Sequence, residues 1–208
     1  MELYHSTNKK EKIIEENKIK VNKTFNYEKY LEHVLSIVKQ FENKPEKLVG
    51  NYPGSRIQAP FMGQGIYCFD NYDDAINYQS QSQVVTIEFD DLSIILDLDD
   101  PMVLLAVLAA LEEVDGKIDS EIKEEDINYK WHLLCEILKA SLYEEFKNSQ
   151  PAVGLILKVF DWFKVNFDSS PDLITRSFYA KIAIGSSGNI TKNKYYLIKN
   201  SNKIKSIC

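Results

Sequence analysis

"FMGQGIYCFDNYDDAINYQ", residues 61–79, decides the fold. It sets a Gly-x-Gly turn at Gly63 and Gly65, an aromatic run through Tyr67 and Phe69, and an Ala-x-x-Tyr step from Ala75 to Tyr78. Glycine tolerates tight backbone turns, while aromatic and β-branched residues favour a pleated surface, so "GIYCF" is expected to be a strand and "NYDDAINYQ" the short helix after it. Tyr67 and Tyr78, eleven residues apart, then lie on a strand and on its following helix and can converge on one pocket.

Working outward, "QVVTIEF" (83–89) is a second strand and "LSIILDL" (92–98) a third, with "ELYHST" (2–7) opening the chain as another. A Lys/Glu-rich segment carrying Ile13, Ile14, Ile19 and Val21 leads into "NYEKYLEHVLSIVKQF" (26–41), whose Tyr30, Leu31, Val34, Leu35, Val38 and Phe41 recur at helical spacing. Residues 42–65, with three prolines and four glycines, form a long irregular loop.

Asp100-Pro101 starts a helix over "PMVLLAVLAALEEV" (101–114). A longer one follows in "EEDINYKWHLLCEILKASLYEEFKN" (124–148) and a third in "PAVGLILKVFDWFKVNF" (151–167). The chain closes on the β-like "RSFYAKIAIG" and "KYYLIK". Strands at both ends with a helical block of about seventy residues between them give an α+β plan with a helical insertion at about 100–170, within one domain spanning 1–208.

Composition bounds the function. With 208 residues, 44% hydrophobic and 12% aromatic, the chain can bury one good core, and its net charge of −6 argues against a general basic nucleic-acid surface. Lysines nevertheless crowd residues 8–23 and 191–207, while Glu88 to Asp126 is rich in acids; if the two ends meet, they form one basic face for a polyanionic ligand. Cys68, Cys135 and Cys208 make neither a disulfide framework nor a metal knuckle, which suits a reducing cytoplasm. His5, His33 and His132 lack partners at metal-ligand spacing, so no metal is expected, and the longest apolar run is too short for a bilayer.

The order of these elements resembles the catalytic core of the diphtheria-toxin/poly(ADP-ribose)-polymerase-like ADP-ribosyltransferases. In that family an opening strand carries His-Gly, a "G-x-G-I-Y-F-A-D" strand leads into a helix ending "S-A-N-Y", and a late strand reads "N-E-Y-I-V-Y". Here His5, Gly63, Gly65, Ile66, Tyr67, Phe69, Asp70, Ala75, Asn77 and Tyr78 fall into register. The resemblance covers roughly the first sixteen residues, 61 to about 98, and the last two dozen; the helical block lies outside it.

The resemblance implies a split antiparallel sheet core and NAD as substrate. His5 would hydrogen-bond the adenosine ribose, Tyr67 would line the nicotinamide ribose, and Tyr78 would stack on the nicotinamide ring. Gly65 would let the backbone approach the dinucleotide, and Ser6, in place of the family's glycine, keeps the backbone N–H and C=O that grip the carboxamide. The family's serine falls at Asp74 or Ala75, so that side-chain contact is missing. The family's glutamate, which activates the acceptor for chain growth, falls at Tyr195; the catalytic positions are then His5, Tyr67 and Tyr195.

A His-Tyr-Tyr set implies single transfers rather than polymer synthesis. Bond cleavage through an oxocarbenium-like state draws on leaving-group stacking and water exclusion as well as on a base. A carboxylate acceptor would supply its own nucleophile, and a Glu of the insertion is another source of a carboxylate. The expectation is a cytoplasmic mono-ADP-ribosyltransferase acting on a protein or nucleic-acid acceptor, a bacterial toxin or phage-defence effector with an antitoxin or regulatory partner and no membrane association. The contrasting expectation is a non-catalytic module that holds NAD or ADP-ribose, or protein partners, on the same fold.

Overall fold

The computed structural model describes residues 1–21, 25–43, 62–78, 82–142, 152–165, 167, 171–182 and 189–208. In chain order the elements are β1 (Glu2–Thr7), α1 (Lys10–Glu16), α2 (Tyr27–Ile37), β2 (Ile66–Cys68), α3 (Tyr72–Asn77), β3 (Gln83–Phe89), β4 (Ile95–Asp97), α4 (Pro101–Glu121), α5 (Glu125–Leu142), α6 (Ala152–Trp162), β5 (Leu173–Ile182), β6 (Asn189–Ile198) and β7 (Ile204–Ile207). They fall into two compact units. The first comprises Met1–Lys23, Gln64–Asp100 and Ser170–Cys208; the second comprises Thr24–Gly63 and Pro101–Ser169. The helical block therefore groups with α2, which lies far upstream of it.

The first unit is built on two sheets. One runs β1-β3-β7 with antiparallel pairings; the other runs β2-β6-β5-β4. In the second sheet β2–β6 and β6–β5 are antiparallel, but β4 and β5 run parallel, with Ile95 opposite Leu173 and Asp97 opposite Thr175. The mixed α+β plan with two sheets thus holds, while the expectation of a wholly antiparallel core does not. Parallel pairing demands a long crossover, and here the whole helical block supplies it between β4 and β5.

Alternation decides which faces are buried. Leu3, Val85, Ile87, Phe89 and Ile207 of the first sheet share a core with Ile66, Cys68, Leu173 and Ile198 of the second, closed by Ile13 of α1 and by Ile19. Each such side chain contributes about 1.5–3 kcal/mol by leaving water. The sheets meet at one edge, where Tyr4 and Phe69 exchange backbone hydrogen bonds of 2.8 and 2.9 Å.

Asp172 fastens the opposite edge. It is 7% exposed and its carboxylate accepts from the Ile94 amide at 3.0 Å and the Asn200 side chain at 2.7 Å, lowering its pKa through these bonds. The two ends of the chain lie in one sheet, β1 and β7 on either side of β3, but β1 carries no lysine and the lysine-rich stretch 8–23 follows it. Much of their charge is taken up locally. Lys12 and Lys20 pair with Glu16, Lys203 and Lys205 with Asp90, and Lys194 with Asp97.

The second unit is helical. Asn26 caps α2 by accepting from the Lys29 amide at 3.0 Å, and α2 buries Tyr30, Leu31 and Val34. α4 buries Val107, Ala110, Leu111, Val114 and Ile118, one stripe over about three turns. It continues past the expected end at Val114, because Gly116 faces open space and Ile118 is fully buried. Trp131 of α5 meets Phe163 edge-on at 4.9 Å and lies 5.9 Å from Trp162.

Polar bridges lace the helices together. Lys39 pairs with Asp126 at 2.6 Å, Lys158 with Glu28 at 3.2 Å, and Lys139 with both Glu112 and Glu136 at 2.9 Å. His132 lies between two α4 carboxylates, 2.7 Å from Asp115 and 3.0 Å from Asp119. Among the described residues no helix is long and apolar enough to cross a membrane.

Candidate active site

Gly65, Tyr67, Tyr78, His5, Ser6 and Tyr195 all belong to the first unit. The start of the motif is set by backbone sterics. Gly63 has φ 112°, which L side chains rarely adopt. A Cβ at Gly65 would run into the Ile198 carbonyl oxygen and come within 2.7 Å of the Leu197 side chain. In the protein alone, then, Gly65 is required because β2 must press against β6. Most of the loop read at 42–65 lies outside the described residues.

β2 presents its residues alternately. Ile66 and Cys68 enter the shared core, so Tyr67 occupies the other face, opposite Leu197 in the β2–β6 ladder. Tyr195, two residues from Leu197 on β6, falls on that same face. Phe69, Tyr78 and Tyr195 then form an aromatic triangle. The Phe69 ring centroid is 5.2 Å from Tyr78 and 5.1 Å from Tyr195, and Tyr78 stands edge-on to Tyr195 at 6.2 Å.

Within the triangle the rings differ in exposure. Phe69 is 2% and Tyr195 6% exposed, but Tyr78 is 44% exposed and presents part of its ring to solvent. α3 delivers Tyr78 because Asn71 caps its first turn, accepting from the Asp73 amide at 2.8 Å, and Tyr78 ends it. A large tyrosine held open at the top of a buried aromatic pair is a platform for a flat ligand.

His5 bridges the two sheets, beside the Tyr4–Phe69 contact. Its Nδ1 lies 2.8 Å from the Tyr67 carbonyl oxygen, and a carbonyl only accepts, so Nδ1 carries the hydrogen. Burial lowers its pKa, opposed in part by that bond, and the ring is neutral at pH 7. Nε2 is consequently an acceptor, and it has no protein partner among the described residues. Such an atom can take a hydrogen bond from a ligand hydroxyl.

Ser6 points to the opposite face of β1 from His5. Its hydroxyl is buried and has no hydrogen-bond partner among the described residues. Ser6 pairs with Val84 of β3.

Tyr195 cannot act as the carboxylate it replaces in the family pattern. Its hydroxyl is pushed up to about 12, by burial first and then by Tyr78 and the negative charge of Asp74. It remains a neutral phenol through the physiological range. The β5–β6 ladder places Arg176 directly opposite Tyr195, so a buried guanidinium flanks the tyrosine face. Burial lowers the Arg176 pKa and the charge of Asp99 opposes that. Asp74 and Arg176 were missed by sequence reasoning. The i, i+4 spacing of Asp74 to Tyr78 was a usable signal for the first; the ladder that selects Arg176 was not readable.

No family model, curated protein or solved structure matches the chain. The site stands on its own geometry. Among the described residues no cluster of three or more His, Cys, Asp or Glu has the arrangement to hold a metal ion. The free thiols of Cys68 and Cys135 are buried, and burial raises both out of the reactive range.

Proposed function

We propose that the protein is a mono-ADP-ribosyltransferase that cleaves NAD at the nicotinamide ribose and passes ADP-ribose to a macromolecular acceptor. One observation carries the reading. Four residues far apart in sequence come to one part of the first unit: His5 on the Tyr67 carbonyl, Tyr67 and Tyr195 on one sheet face, and Tyr78 edge-on to Tyr195. In this reading Nε2 of His5 accepts from a ribose hydroxyl, and the exposed part of Tyr78 stacks on the nicotinamide ring as it leaves. The Ser6 backbone N–H and C=O lie next in β1 for the carboxamide.

The raised Tyr195 phenol speaks against chain growth and favours single transfers. It also supports a second reading, a non-catalytic module that holds NAD or ADP-ribose, because the face lacks a glutamate where the family pattern has one. A toxin or defence setting with an antitoxin partner goes with the first reading.

The experiment incubates the protein with NAD labelled in the ADP-ribose moiety and bacterial lysate, then splits each sample between protease and nuclease. Label that depends on His5, lost in His5→Ala and released by one treatment only, supports transfer and names the acceptor as protein or nucleic acid. Absence of label together with measurable NAD binding points to the module.

A further inference from the structure

We propose that Asp74 is the group that takes the acceptor's proton in this site, filling the role that Tyr195 cannot. The proposal rests on the transferase reading above and deepens it. Three observations place Asp74 there.

First, Asp74 lies four residues before Tyr78 on α3, and side chains at that spacing stack on one helix face. Tyr78 in turn meets Tyr195 edge-on, so Asp74 stands one helical turn from the aromatic platform. Second, Asp74 is near enough to Tyr195 for its charge to raise the Tyr195 hydroxyl.

Third, Asp74 is unpaired where its counterparts are not. The other partly or fully buried carboxylates described in this unit are all engaged: Asp90 by Lys203 and Lys205, Asp97 by Lys194 and Thr175, Asp172 by Ile94 and Asn200. Asp74 is half-buried, and no hydrogen bond or ion pair holds it among the described residues. Partly exposed and free of protein partners there, its carboxylate stays open to an incoming acceptor. Burial, helped by Asp70 and Asp73, raises its proton affinity above that of an ordinary aspartate, which suits a proton acceptor.

The step balances as follows. The oxygen of a hydroxyl acceptor, or of water, bonds to C1′ of the nicotinamide ribose while the C1′–N bond breaks. The electron pair of that bond passes to the ring nitrogen, the pyridinium becomes neutral nicotinamide and leaves, and the acceptor's O–H proton moves to the Asp74 carboxylate. An acceptor that arrives as an anion needs no such group. That difference separates a proton acceptor from a residue that merely supports the helix.

The test compares the wild type with Asp74→Asn, with Asp74→Ser as the second variant should the first not fold. NAD turnover is followed by release of nicotinamide into water and, separately, in added azide, an anionic nucleophile with no proton to lose. NAD affinity is measured by titration. Asp74→Asn is expected to lose about 10²-fold in kcat with water, as general-base removal does, at unchanged NAD affinity, and to return towards the wild-type rate in azide.

Undiminished turnover of Asp74→Asn with water, or a loss that azide leaves in place, overturns the role of Asp74 and leaves the transferase reading standing. Absence of turnover in the wild type with either nucleophile overturns the transferase reading, and the Asp74 role falls with it.

Discussion

The two units hold their described histidine contacts in opposite ways. In the sheet unit His5 is pressed against a backbone carbonyl, and burial lowers its pKa from the ordinary value of 6.5. In the helical unit His132 lies between Asp119 and Asp115, and these two hydrogen bonds, that to Asp119 foremost, raise its pKa against the opposing effect of burial. One residue type has its pKa lowered by burial against a carbonyl and raised between two α4 carboxylates.

The difference has a sign in acid. A histidine whose folded pKa lies below its unfolded value loses stability as pH falls from about 6.5 through that lower value. His132 behaves in reverse. Its contribution is complete below about 6.5 and disappears as pH rises through the higher folded value. Mild acidification therefore weakens the sheet unit at His5 and strengthens the helical unit at His132.

The comparison can be broken most severely at the helical core. Trp131→Ala removes the ring that Phe163 and Trp162 pack on, and it should lower stability by about 3–5 kcal/mol, read as a shift in the urea midpoint of the helical circular-dichroism signal. A midpoint that stays put would mean the aromatic cluster holds nothing together.

The sheet unit should yield less to a change that adds atoms instead of removing them. Gly65→Ala forces a Cβ against the Ile198 carbonyl and should cost about 1–3 kcal/mol, with β2 amides exchanging faster with solvent. Unaltered exchange would show that β2 can stand off from β6.

The smallest effect sharpens the contrast directly. Titration of the histidine ring protons by NMR should place His5 below 6.5 and His132 above it. In His132→Gln the loss of melting temperature relative to wild type should be greatest below pH 6.5 and shrink as pH rises. A gap that widens towards alkaline pH would contradict the carboxylate clamp.

Much of the helical unit was legible because its packing writes a period into the chain. Tyr30, Leu31 and Val34 are the buried face of α2, as their spacing foretold, and Trp131, Leu134 and Leu138 repeat the pattern in α5. α4 runs on past Val114, where the expected helix ends, because Ile118 keeps the buried stripe going. β1 was read to its residue bounds. β7 was not separated from its neighbours because Ile204–Ile207 is four residues long and only its pairing with β3 makes it a strand.

The candidate site was legible in its parts. His5, Tyr67, Tyr78 and Tyr195 were named from order along the chain, and Gly65 for closeness to a dinucleotide, although its first neighbour is β6. Asp74 was read only as the place of an absent serine, since an unpaired carboxylate cannot be recognised until the fold has placed its neighbours.

The sequence by itself determined where the chain alternates and where it coils, because the period of buried residues is a local property of consecutive positions. It also determined which chemical groups were on hand: one strand histidine, tyrosines around a Gly-x-Gly turn, acids in the middle. Only the tertiary structure decided that β4 runs parallel to β5, that Tyr195 shares a face with Tyr67, and that the Nδ1–H of His5 donates to the Tyr67 carbonyl. Those depend on register between segments more than sixty residues apart, and a shift of one residue in any ladder would turn each side chain to the other face.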